Sequence, residues 1–120
     1  MAVSAGLIEF LVEQLGSLGR VEPRRMFSGA GLFRDGLMFA IVIDDVLYFK
    51  TDVETVAAFD AEGLPPFSYG TRTGERRLTH YRRAPERLLD DADEMAGWAA
   101  RAYAVAQRAD ATKGRKKPPR

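Results

Sequence analysis

Residues 24–52 read RRMFSGAGLFRDGLMFAIVIDDVLYFKTD, and this stretch decides the fold. Its short runs rich in Phe, Ile, Val and Tyr suit a pleated, half-buried surface. The polar dipeptides between them, Asp35-Gly36 and Asp44-Asp45, stand where two-residue hairpin turns are expected. The stretch therefore predicts an antiparallel meander. Within it, residues 37–43 are apolar at every position, which predicts a central strand covered on both faces.

One helix is predicted before the meander in the sequence, and another is predicted after it. Residues 4–18 place leucines at three- and four-residue spacing and predict an amphipathic helix. After Lys50, Thr51 or Asp52 is expected to cap a second helix. A Gly-Leu-Pro-Pro run at 63–66 ends that helix, because proline has no backbone donor. The buried side of the second helix is expected to consist of Val53, Val56, Ala57 and Phe59.

A second hairpin and a last helix complete the expected domain. Residues 67–69 and 77–82 are expected to pair, joined by residues 70–74. The last helix is expected to begin near Asp90 or Asp91 and to bury Met95, Trp98, Ala102 and Val105. The element order α-β-β-β-β-α-β-β-α predicts a two-layer α+β domain. In it, helices back an antiparallel sheet built from the meander and the hairpin.

Length and composition predict one domain that folds without disulfide bonds. A chain of this size can bury about two-thirds of its unfolded surface. The sequence contains no Cys, which excludes disulfides, thiolate nucleophiles and cysteine-ligated metals. No stretch reaches the ~20 apolar residues of a membrane span, and no secretory signal pattern opens the chain. We therefore expect a cytoplasmic protein without membrane association.

Charge is distributed unevenly along the chain. The formal net charge is +1, and with the five cations of residues 111–120 removed it is −4. The end of the chain lacks the apolar surface that would offset the entropy of ordering. We expect a folded domain over residues 1–109 and a disordered basic tail over residues 110–120. The tail's candidate nucleic-acid contacts are Lys113, Arg115, Lys116, Lys117 and Arg120.

No residue pattern predicts catalysis or a cofactor. Gly29-Ala30-Gly31 opens like a nucleotide-binding loop, but Arg34 stands where the third glycine belongs. A bulge, a positive φ angle or close strand approach explains these glycines better. His80 is the only histidine, so it has no second imidazole as a metal-binding or catalytic partner. The paired carboxylates Asp44-Asp45, Asp90-Asp91 and Asp93-Glu94 suit a turn and a helix start. We expect no catalytic residue, no metal, no cofactor and no enzymatic activity.

Arginines surround both predicted hairpins and are the best candidates for binding a partner or an anion, since a guanidinium can bind carboxylate or phosphate bidentately. If the hairpins are neighbours, one side of the sheet carries a basic patch. Phe33, Tyr69 and Tyr81 would then be available to stack on bases or on a partner. Against this, a charge-rich hairpin is usually a solvated edge. The candidates are Arg24, Arg25, Arg34, Arg76, Arg77 and Arg82.

The order of these motifs resembles the amino-terminal domain of the TfoX/Sxy family, regulators of natural competence. The resemblance covers roughly residues 20–105. Full-length members carry a second, helical carboxy-terminal domain, for which this chain leaves no room, so a stand-alone amino-terminal domain is implied. The matching segments are RRMF at 24–27, GAGLF at 29–33, DGLMFA at 35–40, DDVLYFK at 44–50, Thr51-Asp52, Pro66-Phe67-Ser68-Tyr69, Tyr81 and Trp98-Ala99.

The resemblance implies a regulatory interaction module that controls competence-related transcription through a protein partner, either a transcription regulator or a polymerase. The residues themselves leave a second hypothesis open, namely weak and sequence-independent nucleic-acid binding by the tail and the arginine-bearing hairpins. An enzyme acting on a small anion is the third hypothesis and the least supported. An exposed sheet edge also predicts a homodimer.

Overall fold

The computed structural model describes residues 5–26, 29–71 and 74–116 of the chain. Six antiparallel strands form one sheet, namely β1 Glu22–Met26, β2 Gly29–Arg34, β3 Leu37–Ile43, β4 Val46–Lys50, β5 Pro66–Thr71 and β6 Gly74–Arg83. Their order across the sheet is β1-β2-β3-β4-β6-β5. The helices are α1 Ala5–Gln14, α2 Val56–Ala61 and α3 Ala92–Lys116, with 3-10 turns at Gly16–Leu18 and Glu86–Asp90. The α+β architecture with a meander and a hairpin is confirmed.

Both predicted hairpin turns are present in the meander. Asp35 and Gly36 have φ angles of 51° and 79°, and Asp44 and Asp45 have φ angles of 54° and 62°. Two successive left-handed residues define the type I′ turn, whose twist matches that of the strands it joins. Aspartate tolerates this conformation better than most residues that carry a Cβ atom. The two dipeptides therefore set the register of β2, β3 and β4.

The helices pack against one side of the sheet, which we call the inner face, and the opposite side is the outer face. On β4, Leu47 and Phe49 point inward and are buried, whereas Val46, Tyr48 and Lys50 point outward and are half-buried. Phe59 of α2 meets Trp98 of α3 edge-on over the inner face, with ring centroids 5.0 Å apart. As predicted, α3 buries Met95, Trp98, Ala102 and Val105.

Gly29 has the close strand approach expected of the glycine pair. A Cβ atom built on Gly29 would overlap the carbonyl oxygen of Val42 on the neighbouring strand. A β-bulge follows, since Leu32 pairs with Ala40 but Phe33 pairs with Met38. The Gly-Ala-Gly motif therefore serves strand packing at this position.

The second helix begins later than the sequence predicted. Thr55 occupies the N-cap position of α2, and the Asp52 side chain instead accepts a hydrogen bond from the Glu54 backbone N–H. The residues that were expected to form the first helical turn form this local turn instead. Val53 consequently lies outside the helix and is 91% exposed, and Ala57 is exposed as well, so the prediction that these two residues are buried was wrong.

The last helix is longer than the sequence predicted. α3 continues to Lys116, so the backbone of residues 110–116 is helical where a disordered tail was expected to begin. Adding a residue to an existing helix fixes only one more residue for each new hydrogen bond, which favours such an extension. Among the described residues, no helix has the length and hydrophobicity needed to cross a bilayer.

Candidate functional site

A groove opens at one end of the sheet, where its two halves separate. Pairing between β3 and β4 ends at Ala40 and Phe49. Beyond that point Met38 pairs with β2, whereas Lys50 pairs with Tyr81 of β6. The last turns of α3 close the inner side of the gap. The resulting groove has a volume of about 850 Å³ and is lined by Gly36, Leu37, Met38, Lys50, Thr51, Asp52, Glu54, His80, Tyr81, Val105, Ala106, Arg108, Ala109 and Asp110.

The bulge in β3 explains why the strands part here. Phe39 is the extra residue, and it turns inward, where its ring meets Tyr103 edge-on at 6.2 Å. A bulge bends its strand and increases the local twist. The Tyr103 hydroxyl also donates a 3.0 Å hydrogen bond to Asp35 in the β2–β3 turn, which attaches the start of β3 to α3. The bulge and this hydrogen bond therefore fix the position of β3 at the groove.

Arg108 joins α3 to the loop after β4 across the groove. Its Nε and Nη2 atoms each lie 2.9 Å from Asp52 Oδ2, and Nε lies 3.5 Å from Glu54 Oε2. The other Asp52 oxygen accepts the 3.0 Å hydrogen bond from the Glu54 N–H. Both oxygens of Asp52 are thus engaged, and this fixes one wall of the groove. Val53, the most exposed large apolar residue described, stands between these two carboxylates in sequence.

Tyr81, Lys50 and His80 line the β4–β6 side of the groove. The Lys50 ammonium lies 5.1 Å from the centroid of the Tyr81 ring. Burial raises the pKa of Tyr81 to about 12, so its hydroxyl keeps its proton at neutral pH. Thr51 is buried, and its backbone N–H donates a 2.6 Å hydrogen bond to the His80 carbonyl oxygen. His80 itself is exposed.

The chemistry of the groove suits binding. Apolar side chains from β3 and α3 lie beside two cations and three carboxylates, a mixture that can contact both apolar and charged groups of a ligand. In the part of the chain that the structure describes, no cluster of His, Asp or Glu is placed to hold a metal ion. The expectation that the chain has no enzymatic activity stays a prediction.

The two arginine-bearing hairpins are not neighbours. β1 and β2 form one edge of the sheet and β5 and β6 form the other, with β3 and β4 between them. The condition for one continuous basic patch is therefore not met. The reason is that β6 pairs with β4, which continues the sheet on the side away from β1.

Two of the predicted arginines have partners inside the domain. Arg34 lies over the Tyr103 ring at 4.6 Å and is 3.8 Å from Asp35. Arg82 donates to Asp60 at 2.6 Å and to the Leu64 carbonyl oxygen at 2.7 Å. Both side chains point to the inner side and join elements of the fold. Their roles in partner or anion binding stay predictions.

The remaining predicted arginines divide between described and undescribed positions. Arg24 lies over the Phe33 ring at 4.8 Å on the outer face, and Arg25 is exposed on the edge strand β1. The side chains of Arg76 and Arg77 lie outside the described residues, as do those of Lys113, Arg115, Lys116, Lys117 and Arg120. Nucleic-acid binding by the tail, the homodimer and the cytoplasmic location stay predictions.

The groove was not predicted from the sequence. Lys50, Asp52 and Arg108 were not among the candidates, and Arg108 is 56 residues from its partner Asp52. The available signals were Asp52 next to a conspicuously apolar Val53, and an arginine near the end of an amphipathic helix. Neither signal indicates its partner.

Two comparisons with known proteins agree on one family. The family model of the TfoX N-terminal domain matches residues 13–106, which include most of the described structure. A "DNA transformation protein TfoX1" from Aliivibrio fischeri (strain ATCC 700601 / ES114) is 39% identical over 56 residues. That alignment covers 47% of this chain and 27% of the relative, so the chain aligns with about a quarter of the relative's length.

Proposed function

Because the chain belongs to the TfoX N-terminal domain family, we propose that it is a regulatory protein-interaction domain in the control of DNA uptake. In this proposal, an extended segment of a partner protein binds in the groove between the two halves of the sheet. The observation that carries the proposal is the end of β3–β4 pairing at Ala40 and Phe49. Beyond these residues the edges of β3 and β4 face each other across the groove.

Strand edges along the groove favour an extended peptide as its ligand. A peptide can add to an open strand edge through main-chain hydrogen bonds while its alternate side chains enter pockets. Here the first residues of β3 offer such an edge, and Val105 and Ala106 supply an apolar floor. The Arg108–Asp52 pair supplies both signs of charge for the partner's polar side chains.

The family suggests the kind of partner. The Aliivibrio fischeri relative is named as a DNA transformation protein. We propose that this chain also acts in competence, in the cytoplasm, and that the groove binds a segment of a transcription regulator or of a polymerase. The described residues include no group of His, Asp or Glu placed to hold a metal ion, and a binding role requires none.

Two substitutions on the last helix test the proposal in the native host. Ala109→Arg places a long cation in the groove, whereas Gln107→Arg places the same side chain on an exposed position of α3 that does not line it. Arg is a good helix former, so neither variant should unfold the domain. Transformation frequency and the transcripts of DNA-uptake genes should fall toward the level of a gene deletion in Ala109→Arg and stay at the wild-type level in Gln107→Arg.

Two results would count against the proposal in different ways. If the deletion lowers transformation but Ala109→Arg does not, the groove is not the docking site. If the deletion itself leaves DNA-uptake transcripts and transformation unchanged, the regulatory role is wrong.

A further inference from the structure

The outer face of the sheet carries a row of aligned residues that the groove does not use. The strand register joins Arg24 of β1, Gly31 of β2, Ile41 of β3, Tyr48 of β4 and Arg83 of β6. Cross-strand partners point to the same face, so the row has an arginine at each end and apolar residues between. Four strand spacings separate the two arginines, or about 19 Å. All described helices pack against the inner face.

Three aromatic rings lie in this row or beside it. Phe33 lies under the Arg24 guanidinium at 4.8 Å, and Tyr48 meets Phe67 edge-on with ring centroids 5.3 Å apart. Phe33, Tyr48 and Phe67 are only half-buried, although each is a large apolar side chain. Half-buried rings beside cations on an antiparallel sheet are the arrangement on which proteins stack unpaired bases.

The charges on the outer face indicate which class of ligand it can bind. The face presents Arg24, Lys50 and Arg83. Its described carboxylates are Glu22 on the edge strand, Glu86 beyond the end of β6, and Asp44 in the β3–β4 turn. Burial, helped by the charge of Asp44, raises the pKa of Tyr48. Arg83 reaches Glu86 at 3.4 Å, but both side chains are exposed and such pairs contribute little. Packing a second copy face to face would bring these cations together. A polyanion with flat, unpaired rings complements both the charge and the aromatic groups.

We propose that the outer face, centred on Tyr48 and bounded by Arg24 and Arg83, binds single-stranded nucleic acid without strong sequence preference. The bases stack on Phe33, Tyr48 and Phe67, and the phosphates pair with the three cations. A duplex binds less well, because its bases are already stacked on one another. The site shares Lys50 with the groove but none of its other residues, so its test does not depend on the docking function.

The test is the affinity of the full chain for a labelled single strand. Fluorescence anisotropy is measured with an oligothymidylate of about twenty nucleotides and with a duplex of equal length, at about 50 mM and about 200 mM salt. The five cations of residues 111–120 are changed to Gln, so that the tail cannot supply the affinity. The single strand should bind more tightly than the duplex. Contacts from three cations should give a slope of log affinity against log salt of about −2.

Matched variants separate stacking from general charge. Tyr48→Leu keeps an apolar side chain but removes the ring, and it should raise the Kd for the single strand about tenfold. Arg24→Gln should make the salt slope shallower by about 0.7. The control is Arg101→Gln, because Arg101 also lies over a ring, that of Trp98 at 5.2 Å, but on the helical side. Arg101→Gln should change neither quantity, and circular dichroism should show every variant folded.

Four results would overturn the proposal. They are the absence of single-strand binding in the tail-neutral chain, tighter binding of the duplex, equal losses in Arg24→Gln and Arg101→Gln, and an unchanged affinity in a folded Tyr48→Leu. A further outcome also contradicts it, namely a dimer seen by light scattering that Tyr48→Leu dissociates in a chain that binds no nucleic acid. That outcome would assign the face to a second copy.

Discussion

The inner and outer faces of the sheet are made from the same strands, yet they serve different ends. Phe49 and Tyr48 are neighbours on β4, but Phe49 is fully buried under the helices while Tyr48 is half-buried opposite them. The side chains of the inner face are buried against the helices, and this burial provides hydrophobic stabilisation. The outer face keeps rings and cations partly exposed, at a position where the core does not need them. The comparison indicates that stability depends on the inner face, which leaves the outer face and the groove available for the binding roles we propose.

The largest expected effect comes from truncating the two neighbours on β4. Phe49→Ala should lower the free energy of unfolding by about 3–5 kcal/mol, because it removes a buried aromatic and leaves a cavity. Tyr48→Ala should cost about 1 kcal/mol, as for an average position. Trp98→Ala on α3 should behave like Phe49→Ala. Urea denaturation measures all three, and equal losses for Phe49 and Tyr48 would remove the distinction between the faces.

Much of the fold could be predicted because its signals are local. Asp35-Gly36 specifies a type I′ turn by its own conformational preferences, and the spacing of Met95, Trp98 and Ala102 specifies the buried side of α3. The site could not be predicted in this way. It exists because Phe39 bulges, because β6 pairs with β4, and because Asp52 meets Arg108 in three dimensions. None of these events has a signature within a short window of sequence.

Two glycine substitutions sharpen the role of strand packing. Gly29→Ala should lower the free energy of unfolding by about 1–3 kcal/mol, because its new methyl group meets the backbone of Val42, which cannot move aside cheaply. Gly97→Ala on α3 has no heavy atom within 4 Å of the added Cβ atom. It should stabilise the protein by about 0.5–1 kcal/mol through helix propensity. Thermal melts of both variants check the opposite signs, and a stabilising Gly29→Ala would contradict the close approach of β2 and β3.

A smaller effect is expected from an ion-pair network on the helical side. Arg87 donates to Glu62 at 2.7 and 2.9 Å and to Glu94 at 2.7 Å, and Glu94 also accepts from the Trp98 indole at 3.3 Å. The hydrogen bonds from Arg87 lower the pKa of both glutamates below the ordinary value of 4.5. A lowered folded-state pKa stabilises the protein above the unfolded-state value, and this stabilisation is lost as the pH falls through the lowered value.

The Arg87 network therefore predicts a pH-dependent Tm. In the wild type, Tm should fall as the pH drops below 4.5, and Arg87→Met should make that fall shallower. Arg20→Met is the control, because Arg20 pairs with Glu22 at 3.4 Å in an exposed position. If the Tm profiles of Arg87→Met and the wild type are parallel below pH 4.5, the network does not couple to folding.

The most direct test of the docking groove is site-specific crosslinking in the native host. The photoreactive amino acid benzoylphenylalanine is placed at position 109, which lines the groove, or at position 107, which lies on the same helix outside it. We expect position 109 to crosslink one protein, at one short segment that mass spectrometry can identify, and position 107 to give no such product. Equal crosslinking from both positions, or a product at 107 alone, would contradict the claim that the groove binds a partner.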